Sequence, residues 1–266
     1  LINLDKDPKA TSMAMLFNAK DKRGYGLHKE GYVLPLSEGA NYHYNICLDN
    51  YGAKTRNVKS YQKLIFEVAG LLYNQEKLVL NLDQEKARKF KKDFFLANGV
   101  SEDDYVIIMN TGCGPVYPNK KWTYEGYLEV IKRLLQHDDV KIVLTGAEAE
   151  IERNRKLCEE VGSSRVINTT NKYNLENFCL LINSSNMVLT GDTVGLHLAI
   201  ALEKKIISFF GPTPHQEIYL FGLGKKFVRE ELDCLNCYDQ FPCPHGGRCM
   251  TLTTADEVYR EVLALK

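Results

Sequence analysis

The sequence has no excess of charge of either sign: 34 lysines and arginines face 34 aspartates and glutamates. Without a basic surplus there is no electrostatic footprint for nucleic acid, and none is expected as a partner. No apolar run approaches the roughly 18 residues that span a bilayer. The opening residues, LINLDKDPKA, lack the basic head and long apolar stretch of a secretory leader, and they lack an initiator Met. No internal repeat or low-complexity tract occurs, which excludes solenoids and linker-like chains. Two phosphate-loop signatures are also missing. Neither GxxxxGK[ST] nor GxGxxG is found, so a Walker loop and the dinucleotide fingerprint are both excluded.

What is present is an alternation of strands and helices. Hydrophobic residues make up 44% of the 266 residues, enough for one large core or two modest ones. In the first part Leu1 to Leu4 reads as the tail of a strand and Pro8 to Lys20 as a helix. Short strands are expected around Gly24 to Leu27 and Tyr32 to Leu34, and a short helix from Asn41 to Leu48. Leu64, Ile65, Val68, Leu71 and Leu72 have helical spacing. A charged helix over 83–98 ends at Gly99. Beyond it, strands are predicted at 105–110, 140–145, 165–168, 186–190, 205–210 and 226–229. Helices are predicted at 123–137, 148–161, 174–184, 193–203, 214–221 and 253–264. Units of this length build a doubly wound parallel sheet. The division into domains is expected as 1–95 and 96–266.

Two loops in the second part have the chemistry of an anion site. The segment VLTGDTVGLHLAIALEKKIISFFGPT places Gly191-Asp192-Thr193-Val194-Gly195 between a strand and a helix, with His197 one turn in. Free amides and the positive end of the helix meet there, which suits a phosphate or diphosphate. Asp192 and Thr193 also suit simple capping, and that reading competes. The second loop, NTGCGPVYPNKKW, follows the strand ending at Met109. Its glycines let amides converge, and Lys120 can reach the same anion. Lys120 and Lys121 can equally be a solvated pair, with Trp122 a core anchor.

Eight cysteines are present, and Cys234, Cys237, Cys243 and Cys249 cluster as C-x2-C-x5-C-x5-C. Such a cluster can hold zinc or an iron–sulfur centre, with His245 as a further ligand. The spacing does not pair two CxxC units as ribbons and fingers do, so reduced thiols or disulfides compete with the metal. No cofactor is expected to be required, with zinc at the cluster as the candidate exception.

TGCGPVYPNKKW, LTGAEAE, LTGDTVGLHLAIALEKKIISFFGPT and CLNCYDQFPCPHGGRCM, in that order, resemble the ADP-heptose:lipopolysaccharide heptosyltransferases, glycosyltransferase family nine. The resemblance is close over 101–266 and looser over 1–100. It implies a GT-B fold, with two Rossmann-like doubly wound parallel-sheet domains of which the N-terminal, acceptor-side one is partial. It implies transfer of a heptose or related sugar from an ADP-sugar donor to a lipopolysaccharide-core or related glycan acceptor. The acceptor would be lipid-linked, and the protein cytoplasmic with peripheral contact at the inner membrane. The resemblance assigns donor binding to Thr111, Gly112, Lys120, Glu150, Asp192, Thr193, Gly195 and His197, and catalysis to Lys120 and His197. Lys120 is the principal cation and the amides of Thr193 to Gly195 the principal neutral donors. Glu150 would meet the ribose, although a first-turn helix acid explains it as well.

The family's general base is an Asp in a glycine-rich loop near its N-terminus. No such loop is found here, so the base is not expected in this chain. Asp5 and Asp7 are expected to cap the helix beginning at Pro8. Two alternatives stay open. One is a nucleotide-sugar transferase or epimerase of the same fold acting on a different sugar. The other is a fragment that binds ADP-sugar without turnover.

Overall fold

The structure, a computed structural model, describes residues 1–48, 56–115, 117–238 and 242–266. It divides into two compact units. The first comprises Leu1–Glu76 with Pro214–Tyr219, and the second Lys77–Thr213 with Leu220–Lys266.

The first unit holds β1 (Ile2–Asn3), α1 (Pro8–Leu16), β2 (Arg23–Leu27), β3 (Val33–Pro35), α2 (Glu38–Leu48) and α3 (Tyr61–Val68). Asp7 caps α1 by accepting from the Lys9 amide at 2.8 Å, and Pro8 sits in the first turn. Asp5 accepts from the Asp7 amide, so both acids serve the helix start. Strand β1 runs parallel to β2, whereas β3 is antiparallel to it. The tight turn from His28 to Tyr32 leaves no room for a crossover, so a hairpin forms. Tyr25, Ala40 and Val68 form its small core.

The second unit holds α4 (Gln84–Asn98), β4 (Tyr105–Asn110), α5 (Tyr124–Leu134), β5 (Val140–Thr145), α6 (Ile151–Val161), β6 (Val166–Asn168) and α7 (Leu175–Asn183). These are followed by β7 (Met187–Gly191), α8 (Val194–Ala201), β8 (Lys205–Phe209), β9 (Gly224–Phe227), α9 (Arg248–Thr251) and α10 (Ala255–Leu265). The charged helix α4 packs on α7. The sheet order is β6-β5-β4-β7-β8-β9, and every pairing is parallel. Both faces are covered, so the four central strands are mostly apolar: Ile107, Ile108, Ile142, Val143, Val188, Leu189, Ile206 and Ile207 are fully buried.

The chain builds outward from β4 in one direction through β5 and β6, then returns to lay β7 on its other side. The C-terminal ends of β4 and β7 therefore lie side by side, with Asn110 in register with Thr190. This is the topological switch point, where ligands bind in open parallel sheets. The predicted helix over 214–221 is a single short turn at His215–Glu217. Phe221 and Gly222 take positive φ, which ends any helical run before the predicted C-terminus. The sequence reading also missed α9. Among the described residues no helix is long and apolar enough to cross a membrane.

Candidate functional site

The two predicted loops meet at the switch point. Trp122 fixes the first of them. It is buried, stacks on Phe209 at 4.6 Å between centroids, and donates its indole N–H to the Thr253 carbonyl at 3.0 Å. With Trp122 locked, Lys120 and Lys121 diverge. Lys120 Nζ lies 3.3 Å from Asp192 Oδ2. Lys121 Nζ pairs with Glu150 Oε1 at 2.6 Å. Neither lysine is a solvated bystander. The Lys120 backbone is seated on Gly191, where an added Cβ would come within 2.7 Å of the Lys120 carbonyl oxygen. Only glycine permits that approach.

Asp192 Oδ2 also accepts from the Thr213 hydroxyl at 2.8 Å. One carboxylate oxygen thus gathers Lys120 from the loop after β4, Asp192 from the loop after β7, and Thr213 from the loop after β8. Thr213 was absent from the sequence-based set. Its only signal was its place in the Gly-Pro-Thr that follows a strand.

Thr111 and Gly112 are buried. The Thr111 hydroxyl donates inward to Asn154 Oδ1 at 2.7 Å, and Asn154 in turn donates to Thr170 Oγ1 at 2.7 Å. The Thr111 side chain therefore ties the ends of β4 and β6 together. Glu150 is 1% exposed. Its Oε2 accepts from the Ala147 amide at 3.0 Å, and its carboxyl packs against Gly112, where a Cβ would come within 2.5 Å. Both oxygens of Glu150 have partners inside the protein. Beside it, burial pushes the Cys113 thiol up, against the smaller pulls of Lys121 and Lys120.

Thr193 occupies the N-cap position of α8, yet its side chain makes no capping bond. The capping expectation holds for its position and not for its hydroxyl, which turns toward Asn110 and Thr190. Among the described residues no acceptor is found for the amides of Val194 and Gly195 at the start of the helix. Gly195 is buried. A Cβ there would lie 3.1 Å from Asn110 Nδ2, so its bare side faces that amide. His197 is exposed, one turn into α8, and has no hydrogen-bond partner among the described residues. It does not join the cluster at Asp192.

The four clustered cysteines are all free thiols. The Asn236 amide donates to the Gly211 carbonyl and the Tyr238 amide to Pro212, both at 2.9 Å, and Cys249 Sγ packs on Gly211. The Cys249 thiol is pushed up to about 11, by burial first and then by Cys243, Cys237 and Cys234. Among the described residues no three or more His, Cys, Asp or Glu are arranged to hold a metal ion.

Chemically, the switch point offers one half-buried ammonium, one carboxylate that holds it, and the open amides of a helix N-terminus. That set can stabilise a diphosphate and orient a hydroxyl-bearing group beside it.

Comparison with known proteins gives the chain a family. A family model described as glycosyltransferase family 9 (heptosyltransferase) matches residues 4–243. Lipooligosaccharide heptosyltransferase 2 of Campylobacter jejuni serotype O:6 is 24% identical over 185 residues, covering 66% of this chain and 55% of the relative. The chain spans about half the length of the Campylobacter relatives it matches. Among solved structures, a family 9 glycosyltransferase from Veillonella parvula has a TM-score of 0.69 at 16% identity, covering 99% of this chain and 72% of that one. Escherichia coli ADP-heptose LPS heptosyltransferase II has a TM-score of 0.59 at 17% identity, covering 78% and 62%. These structures share the fold. With the family model matched over residues 4–243, most of its length, the chain belongs to glycosyltransferase family 9.

Proposed function

We propose that this chain carries the donor site of a glycosyltransferase that moves a heptose, or a related sugar, from an ADP-sugar to a lipopolysaccharide-core or related glycan acceptor. The observation that carries the reading is the meeting of Lys120, Asp192 and Thr213 at the switch point, beside the open first turn of α8. Transfer from a nucleoside diphosphate leaves negative charge on the departing diphosphate. A preorganised cation and fixed amides aimed at that charge lower the barrier. Lys120 is the cation, and the amides of Val194 and Gly195 are the fixed donors. Before the donor arrives, Asp192 neutralises Lys120. Once the diphosphate takes the ammonium, Asp192 remains held by Thr213 and can accept from a sugar hydroxyl. His197, exposed on the same turn of the helix, is available to donate to the diphosphate from its edge.

Glu150, with both oxygens engaged, is better placed to hold Gly112 and Lys121 against the sheet than to meet a ribose directly. The adenine nucleotide, the heptose and the lipid-linked acceptor rest on family membership and on the names of relatives. Work at the cytoplasmic face of a membrane, by peripheral contact, belongs to the same proposal. The test is competitive titration with ADP, UDP and GDP. ADP binding at least tenfold tighter than either of the others supports the adenine donor. Equal affinities sink it.

A further inference from the structure

Asn110, the last residue of β4, carries no role in the readings above, yet it touches the donor loop at its most sensitive point. It is 9% exposed. Its Nδ2 donates to Thr193 Oγ1 at 2.9 Å and to Thr190 Oγ1 at 3.3 Å. Thr190 Oγ1 lies 3.0 Å from the Gly191 carbonyl and 2.9 Å from Thr193 Oγ1, and either threonine can donate across the second contact. In both arrangements Thr193 Oγ1 is held on the sheet side by an Asn110 N–H and the Thr190 hydroxyl. The Asn110 backbone carbonyl accepts from the Tyr127 hydroxyl at 3.2 Å.

The consequence is local. A threonine at an N-cap normally turns its oxygen onto the amide of the second or third helical residue, here Gly195 or Leu196. Thr193 has the extended backbone of an N-cap, with φ −142 and ψ 175, but makes no such bond. Gly195 lets the Asn110 amide approach closely, since a Cβ would lie only 3.1 Å away.

We propose that Asn110 is a positioning residue that holds the Thr193 hydroxyl off the N-terminus of α8, so that the amides of Val194 and Gly195 stay open for the diphosphate of a nucleotide, while the Leu196 amide donates to the Thr193 carbonyl at 3.0 Å. The inference rests on the donor-site reading for its ligand, but not for its geometry. Without Asn110, Thr193 turns back and caps its own helix, and the site closes on itself.

The test uses the whole chain as Asn110→Ala, Thr190→Val and the double variant Asn110→Ala, Thr193→Val. Amide hydrogen exchange is read without ligand, and ADP affinity by calorimetry. Asn110→Ala is expected to slow exchange at Gly195 severalfold and to weaken ADP binding at least tenfold. The double variant, with no hydroxyl left to cap, is expected to recover at least fivefold of that loss. Thr190→Val removes the hydroxyl that bonds Thr193 Oγ1, together with its contacts to Asn110 Nδ2 and the Gly191 carbonyl. It keeps the shape of the strand if Asn110→Ala does not fold, and it is expected to shift both readouts the same way by about threefold. A purely structural role for Asn110 would lower ADP affinity in the double variant as much as in the single one, and that overturns the proposal. Unchanged exchange at Gly195 in Asn110→Ala and Thr190→Val also overturns it, whatever ADP does. Slowed exchange in a protein whose parent form does not bind ADP would leave the Asn110 device standing and remove the donor reading.

Discussion

Lys120 and Asp192 are 72 residues apart in the chain and 3.3 Å apart in the fold. They meet because β4 and β7 are neighbours in the sheet although two strands intervene in sequence. Both side chains are about one-sixth exposed, 17% each. In such a setting a diphosphate can replace the carboxylate as the partner of the ammonium without exposing either charge to a fully apolar interior.

Lys120→Ala is expected to weaken ADP binding by about 1–3 kcal/mol, roughly fivefold to 150-fold, the range for a charge-assisted hydrogen bond. Calorimetry at two salt concentrations checks this. The variant should also show a shallower salt dependence, since a cation has been removed. An unchanged affinity would place the anion elsewhere.

Gly191→Ala should act through the backbone of Lys120. The new Cβ would come within 2.7 Å of the Lys120 carbonyl oxygen, a backbone atom that cannot swing aside. A destabilisation of about 1–3 kcal/mol is expected, as for overpacking in a core. Chemical denaturation measures it. ADP affinity should fall in the same variant, because the loop carrying Lys120 must move.

The elements that made this site legible and those that did not differ in kind. The central strands of the second unit are largely apolar runs, and each predicted strand there has a counterpart. The loops after β4 and β7 stood out by their glycines, Lys120 and Asp192. Sheet order is not written in any one segment, however. That Asn110 faces Thr190, and that Thr213 reaches Asp192, follow from β7 lying between β4 and β8. Glu150 shows the opposite problem. Its carboxylate suited a ribose diol as well as it suited a helix start, and only its burial separates the two uses. The expected helix over 214–221 is one turn at His215–Glu217, and the positive φ of Phe221 and Gly222 is a backbone choice that no apolar pattern announces.

The first unit should lose stability on mild acidification through His43. This ring is 7% exposed, bonded to the Tyr25 hydroxyl at 2.7 Å, and held down to about 4 by burial, with Lys6 the smaller cause. The unfolded chain takes up the proton near the ordinary value of 6.5, while the folded protein stays neutral there. The unfolded state therefore binds more protons between pH 6.5 and 4, and stability falls as pH drops through that window. It is flat above it. The loss amounts to about 2–3 kcal/mol at pH 4. Thermal melts from pH 7.5 to 4.5 should show the decline in the parent protein and a smaller one in His43→Gln.

Cys249 should be the slow thiol of its cluster. With its thiol pushed up to about 11, only about a thousandth is thiolate at pH 8. Timed alkylation followed by peptide mass spectrometry should find Cys249 modified after Cys234 and Cys243. Modification of Cys249 first would show that its thiolate is stabilised by a neighbour of opposite charge.

The most direct test of a diphosphate site at the switch point is calorimetric titration of this chain with ADP and AMP side by side. Lys120 and the first-turn amides of α8 hold the second phosphate in this account, so ADP should bind at least tenfold more tightly than AMP. Equal binding of the two nucleotides, or binding of neither, would contradict it.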